Sequence, residues 1–254
     1  MRIGILRCDK VRSTLSAEFG EYPHMIEQAF TALNNTLSFQ TYCVDEGQLP
    51  ECTDECDAYI ITGSRHSVFD PDELWINPLR DFIVRLHKAK IKTVAICFGH
   101  QLMAEAMGGK VERADNGWQI GVHETTIAQQ KTFMQPYMAS LYVIMMCEDQ
   151  IQTLPESATV LATSQDCQYM MLQYDNHFLS IQAHPEFSLD FAKALLNICQ
   201  DELPAKRLEK GLSSLSEDKI NNELIFRWFL NFLTASDDAG DNTGDETAKT
   251  NTAN

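Results

Sequence analysis

A largely apolar run that ends abruptly at a cysteine is the feature that most constrains this chain. Residues 92–96 lack the alternation of a half-exposed strand, which is the pattern of a central parallel strand covered on both faces. Cys97 follows directly, and the residues two positions before and after it, Ala95 and Gly99, are small. This spacing predicts a sharp strand-to-helix turn, because a strand and a helix cross closely only where the flanking side chains are small.

Cys97 at such a turn has the properties of a nucleophile. The helix predicted to follow it, over residues 98–107, aims its N-terminal N–H groups at the sulfur, which favours the thiolate and an oxyanion formed beside it. Free cysteine is also among the most buried residue types, so an inert packing role is the alternative. The turn alone leaves both interpretations open.

A second pattern, further along the chain, favours the catalytic interpretation. His184 and Glu186 follow an apolar run at residues 178–181, and their spacing puts both on one face of an extended segment. Pro185 between them restricts its own backbone and that of His184. A carboxylate beside an imidazole selects its tautomer and stabilises the imidazolium, which leaves the other ring nitrogen to serve a nucleophile. Cys97, His184 and Glu186 are therefore predicted to form a catalytic triad.

These motifs resemble those of the class I (triad) glutamine amidotransferases, and within them the branch similar to GMP synthase. The resemblance also covers a strand with a glycine turn at residues 58–70 and the segment 117–121. It implies hydrolysis of the γ-amide of glutamine to glutamate and ammonia through a γ-glutamyl thioester. The oxyanion-hole donors that it implies are backbone N–H groups at Phe98 and at the Gly63-Ser64 turn. The substrate contacts that it implies are Gln101, Gly117 and Trp118.

Two departures from the family pattern concern the surroundings of the triad. Ala95 stands where a glycine is usual, and it is still small enough for the turn. Met146 and Cys147 replace the usual Ser-His pair before the acidic segment. We interpret the second departure as a changed pocket rim, which leaves the γ-glutamyl donor and any ammonia acceptor open.

The rest of the chain alternates between strand and helix patterns, as α/β folds do. With the resemblance, this implies a flavodoxin-like open, mostly parallel sheet flanked by helices, with a smaller antiparallel sheet segment. Helices are expected to close the fold at residues 189–199 and 219–233. Residues 1–234 are predicted to form one amidotransferase domain. Residues 235–254 contain no large apolar side chain, which predicts a disordered acidic tail.

Composition excludes several other classes of function. A net charge of −16 argues against a nucleic-acid partner, which requires a basic face. Neither a signal peptide nor an apolar stretch of about 20 residues is recognisable, so we expect no membrane association. Eight cysteines without a secretory signal indicate free thiols and a cytoplasmic location. Cys52 and Cys56 have no second Cys/His pair at ligand spacing, so no metal is expected. Neither a phosphate-binding loop nor a dinucleotide-binding glycine motif is recognisable, so no cofactor is expected.

Three functions remain open from the sequence. In the first, a glutamine amidotransferase passes ammonia to a synthase; because no ATP-pyrophosphatase motif occurs, that synthase would be a separate polypeptide. In the second, the same triad hydrolyses γ-glutamyl amides or peptides without a partner. The third is a non-catalytic binding module of the same fold, which the intact triad disfavours.

Overall fold

The computed structural model describes residues 1–215 and 219–235. Within them the strands are β1 (Arg2–Arg7), β2 (Ser38–Cys43), β3 (Ala58–Ile61), β4 (Thr93–Ile96), β5 (Lys110–Arg113), β6 (Gln119–Ile127), β7 (Ser140–Cys147), β8 (Asp149–Thr153), β9 (Ala158–Ser164), β10 (Met171–Tyr174) and β11 (Phe178–Ile181). The α-helices are α1 (Ser13–Phe19), α2 (Tyr22–Leu33), α3 (Ile76–Lys88), α4 (Phe98–Ala106), α5 (Leu189–Ile198), α6 (Ala205–Ser214) and α7 (Asn222–Thr234). The predicted tail lies outside the described residues apart from Ala235, so the tail and the domain boundary stay predictions.

The main sheet has nine strands in the order β2-β1-β3-β4-β11-β10-β9-β6-β7. The first five are parallel to one another, whereas every pair from β11–β10 to β6–β7 is antiparallel. This confirms the predicted open α/β sheet with an antiparallel segment. That segment continues the parallel sheet, and a separate two-stranded antiparallel sheet is formed by β5 and β8.

Strand β4 lies in the middle of the sheet and places the site at its carboxyl end. Its register opposes Ala95 to Ile61 of β3 and Ile96 to Ile181 of β11. Val94 and Ile96 face an apolar cluster that includes α2 and α7, while Ala95 faces another that includes α3 and α4. Every residue of β4 is fully covered, which explains its unalternating sequence. Because β4 and β11 end side by side, the segments that follow them meet.

Four elements were not predicted from the sequence, namely α1, α6, β5 and β8. Strand β5 is almost entirely charged, so it carries no alternating apolar signal. Helix α6 contains Gly211, where a Cβ would lie 3.0 Å from Cγ1 of Ile120. Close packing on β6 therefore favours glycine, although glycine weakens a helix pattern. The last helix begins at Asn222 and not at residue 219.

The helices are short relative to a bilayer. The longest among the described residues, α3 and α7, have 13 residues each. In the part of the chain that the structure describes, no helix has both the length and the apolar character needed to cross a membrane.

Candidate active site

Cys97 joins β4 to α4 in a strained conformation. Its φ is +49° and its ψ is −103°, in the region that non-glycine residues rarely adopt. The Cys97 N–H donates to the carbonyl of Ile181 over 2.8 Å, and its carbonyl accepts from the N–H of Gln101 over 3.0 Å. Such a conformation costs about 1–3 kcal/mol and persists only where surrounding contacts hold it. The turn has the form that the sequence predicts.

Gly99 is required for the close crossing of α4 over β3. A Cβ at position 99 would lie 2.8 Å from Cγ2 of Ile61 and 2.9 Å from its carbonyl oxygen. Because one of these atoms belongs to the backbone of a buried strand, it cannot move aside cheaply. Any larger residue at position 99 would therefore push α4, and with it Cys97, away from the sheet.

His184 and Glu186 form a buried pair beside Cys97. Nδ1 of His184 lies 2.8 Å from Oε1 of Glu186, and the Glu186 side chain is 1% exposed. The His184 ring stacks on Phe187 with centroids 4.1 Å apart, and the backbone N–H of His184 donates to the carbonyl of Ile144, which anchors the residue. These contacts fix the plane of the imidazole and direct its second nitrogen away from the carboxylate.

The electrostatics of this pair favour a protonated imidazole. Burial is the largest influence on the pKa of His184 and lowers it, but the charges of Cys97 and Glu186 and hydrogen bonds to both outweigh burial. Together they raise the pKa of His184 to about 10. His184 is therefore an imidazolium at neutral pH, with the sulfur of Cys97 beside it.

A chain of buried amides leads from Asp149 to the sulfur. Nε2 of Gln101 donates to the backbone carbonyl of Asp149 over 2.7 Å and to Oε1 of Gln182 over 3.2 Å. Gln182 then donates from Nε2 to Sγ of Cys97 over 3.5 Å. Since a carbonyl can only accept, it fixes which end of Gln101 faces it, and Gln101 in turn fixes Gln182.

This chain of amides changes the interpretation of Gln101. Its amide nitrogen is engaged within the protein, although the side chain also lines the cavity. Its predicted contact with substrate stays a prediction. Gln182, which sequence reasoning missed, is fully buried two residues before His184. A glutamine at the end of an apolar strand was the available signal.

The Gly63-Ser64 turn lies against the triad. A Cβ at Gly63 would be 2.8 Å from Cε1 of His184 and 3.6 Å from Cβ of Cys97. Ser64 lines the cavity, and Phe98 is the first residue of α4 with its ring buried 5.3 Å from that of Trp75. The roles of these three residues in an oxyanion hole stay predictions.

A cavity of about 350 Å³ opens in front of the triad. Its walls include Trp118, which was predicted to contact substrate, and also Met146 and Cys147. Gly117 is not among the lining residues; it occupies a turn before β6, with φ +66° and its N–H donated to Ala114. Burial raises the pKa of Cys147 well above its ordinary value, so its thiol stays neutral.

Charged groups that the sequence did not single out surround this cavity. Arg65 pairs with Asp9 over 2.8 Å, and Arg12 pairs with Glu202 over 2.8 Å. Asp149 is 8% exposed; one of its carboxylate oxygens accepts from Ser67, while the other is buried without a hydrogen-bond partner. These residues come from segments far apart in sequence, so no local motif joins them.

His100 follows Cys97 closely in sequence but lies away from the cavity. It is fully buried, with Nδ1 2.7 Å from Oγ of Ser180. Burial lowers the pKa of His100 to about 3, so the ring is neutral. Its contacts are those of a packed residue of the core.

Comparison with known proteins agrees with this geometry. The model of the family "Glutamine amidotransferase class-I" matches residues 17–197. Gamma-glutamyl peptidase 3 of Arabidopsis thaliana is 36% identical over 175 residues, which cover 66% of this chain and 69% of that protein. A subunit of the glutamine-hydrolyzing GMP synthase of Sulfolobus acidocaldarius is 25% identical over 188 residues, covering 71% and 95% of the two chains.

The fold agrees as well. The crystal structure of a glutamine amidotransferase from Thermotoga maritima matches with a TM-score of 0.72 at 22% identity, over 91% of this chain and 95% of that one. The chain therefore belongs to the class I glutamine amidotransferase family and is an enzyme of cysteine-dependent amide chemistry, as its motifs predict.

Proposed function

We propose that this chain hydrolyses γ-glutamyl amide bonds, with the γ-carboxamide of glutamine as the simplest donor. The observation that carries the proposal is Cys97, held in a strained turn beside the buried His184–Glu186 pair at the wall of a cavity. An inert packing cysteine would need neither the strain nor the ion pair.

The proposed reaction has two halves. The Cys97 thiolate attacks the γ-carbonyl, and the N–H groups of Phe98 and of the Gly63-Ser64 turn stabilise the oxyanion, each donor contributing about 3–4 kcal/mol. His184 gives its proton to the departing ammonia or amine. Water then attacks the γ-glutamyl thioester with His184 as base, which releases glutamate and restores Cys97.

Asp149 is the residue best suited to bind the α-ammonium group of the donor. A buried carboxylate oxygen without a partner is costly, and a cation that enters the cavity would supply the missing interaction. Asp149 also lies directly beside the amide chain that reaches Cys97, because its carbonyl accepts from Gln101. Asp149 would therefore bind the donor and also help to orient the amides that reach Cys97.

A second candidate function is hydrolysis of γ-glutamyl peptides, which the size of the cavity favours. About 350 Å³ falls within the range of about 300–1,000 Å³ that holds drug-sized ligands. The cavity extends from Cys97 to Trp118 and to the Arg12–Glu202 pair. A γ-glutamyl group at Cys97 would thus leave space for a leaving group larger than ammonia. The 36% identical relative is named as a γ-glutamyl peptidase.

A separate synthase that consumes the ammonia is the partner that this proposal allows. The relative from Sulfolobus acidocaldarius is named as one subunit of a GMP synthase. Because free hydrolysis of glutamine would waste it, dependence on a synthase predicts low turnover until that partner binds.

The test offers the purified chain glutamine and a panel of γ-glutamyl dipeptides, and measures release of glutamate, ammonia and amine. We expect turnover with kcat/KM values that differ at least about tenfold between donors, or roughly 1.4 kcal/mol of discrimination. A matched α-glutamyl dipeptide should be inert, and Cys97→Ser should abolish activity. Turnover that needs added cell extract would reveal a synthase partner. No cleavage of any γ-glutamyl compound, with or without extract, would show that the proposed function is wrong.

A further inference from the structure

A group of metal-binding side chains lies outside the active site. His87 is in the last turn of α3, and Asp175 and His177 are in the turn between β10 and β11. Nε2 of His177 is 2.9 Å from Nδ1 of His87, and one ligand atom from each of the three residues lies within 4.8 Å of the others.

These distances are close to those of a metal site. Ligands of tetrahedral zinc, with bonds of about 2.0–2.1 Å to nitrogen, are separated by roughly 3.3 Å. Two neutral imidazoles and one carboxylate are also a common zinc ligand set, in which water completes the coordination. Zinc would replace the hydrogen bond between the two rings, so both facing nitrogens must be unprotonated, and ligand atoms that now lie up to 4.8 Å apart must draw together around the ion.

The two imidazoles are held in place by their surroundings. Their centroids are 4.8 Å apart, and both rings contact Phe178, at 5.5 Å from His87 and 5.0 Å from His177. His177 is 5% exposed, and its carbonyl accepts from the N–H of Thr93 over 2.8 Å. Asp175 is exposed at the open side, so the group has a rigid base and an entrance for an ion.

The local charges are mixed. Lys90 and Lys92 are near enough to act on His177 and oppose a cation. The negative charge of Asp175 instead favours a cation beside His177. The carboxyl end of α3 also favours a cation, because its dipole places negative partial charge there. The charge of a bound zinc ion would be balanced by the carboxylate of Asp175 and by the backbone carbonyl groups at the end of α3.

We propose that His87, Asp175 and His177 form a zinc site that joins the end of α3 to the β10–β11 turn. With three protein ligands and one position left to water, the site differs from a closed structural zinc centre, but its place away from Cys97 points to stabilisation of the fold. His177 contacts Thr93 at the start of β4, and Cys97 follows the other end of that strand, about 13 Å away at 3.3 Å per residue. Bound zinc would stabilise the central strand and the hairpin beside it without touching the substrate.

Titration of the chelator-treated full chain with Co²⁺, followed by competition with Zn²⁺, tests the proposal. Cobalt reports its ligands in the visible spectrum, and thiolate ligands add a charge-transfer band that imidazole and carboxylate do not. We expect one Co²⁺ per chain without that band, displaced by Zn²⁺. Zinc at about 100 times its Kd should raise Tm by about 5–10 °C.

The variants are His87→Gln and Asp175→Asn, and each should weaken Co²⁺ binding at least tenfold. Asparagine tolerates the left-handed backbone at position 175, where φ is +47°. Asp175→Asn therefore tests the site even if His87→Gln folds poorly. His66→Gln, in another histidine–carboxylate group, and Cys97→Ser are controls that should bind like wild type. Absence of binding, a thiolate band, or binding unchanged in both ligand variants would overturn the proposal.

Discussion

Replacing Gln182 by methionine removes the hydrogen bond that the side chain donates to the sulfur of Cys97. Methionine keeps the length and the burial of the side chain, and Gln101 retains its bond to the carbonyl of Asp149. A hydrogen bond to a charged acceptor contributes about 1.5–3 kcal/mol. The acceptor is a single large, soft sulfur atom at 3.5 Å, so we take the lower end, about 1.5 kcal/mol, which corresponds to a change of about tenfold in the reactivity of the sulfur.

The assay is the rate at which iodoacetamide alkylates Cys97, followed by mass spectrometry of the peptide that contains it. We expect Gln182→Met to slow this labelling about tenfold near neutral pH. Gln150→Met is the matched control, since Gln150 is also buried but donates to Asp166. Equal labelling rates in wild type and in a folded Gln182→Met would refute the role of this bond, whatever the turnover.

Three other expected outcomes concern the triad and the turn beside it. Glu186→Gln should lower kcat with little change in KM, and less severely than His184→Ala, because the carboxylate orients and does not transfer protons; wild-type activity in Glu186→Gln would reduce the triad to a dyad. Gly63→Ala should lower kcat at least tenfold in steady-state assays while the circular dichroism spectrum is kept, because its Cβ would lie 2.8 Å from Cε1 of His184; unchanged kcat would mean that this turn is not in the active geometry. The pKa of His184 is raised from 6.5 to about 10, so protonated His184 stabilises the fold fully below about pH 6.5, and this is lost as pH rises toward 10. The difference in unfolding free energy between wild type and His184→Asn, from denaturant titrations, should shrink over that window; a constant difference would contradict the charge assignment.

The sequence predicted the parts of the site that depend on local patterns. The covered strand, the small neighbours of Cys97 and the short spacing of His184 and Glu186 all have local physical causes, and each occurs where expected. The α/β fold followed from the same alternation. Local causes are visible in a single sequence because the residues involved are neighbours in the chain.

The other features of the site depend on contacts between segments that are distant in sequence. The orientation of Gln182 is set through Gln101 by a carbonyl of β8, a strand that the sequence did not predict because it lacks an alternating apolar pattern. The unpartnered oxygen of Asp149 is likewise a property of burial. Polar residues give no periodic signal, so their partners become known only from the fold.

Trapping the covalent intermediate would test the proposed chemistry of Cys97 most directly. The chain is quenched with acid during turnover of glutamine or of the preferred γ-glutamyl dipeptide, digested, and analysed by mass spectrometry. We expect a γ-glutamyl thioester on the peptide that contains Cys97 and on no other cysteine peptide, with neither adduct nor turnover in Cys97→Ser. An adduct on a different cysteine, or turnover that persists in Cys97→Ser, would contradict the assignment of Cys97 as the nucleophile.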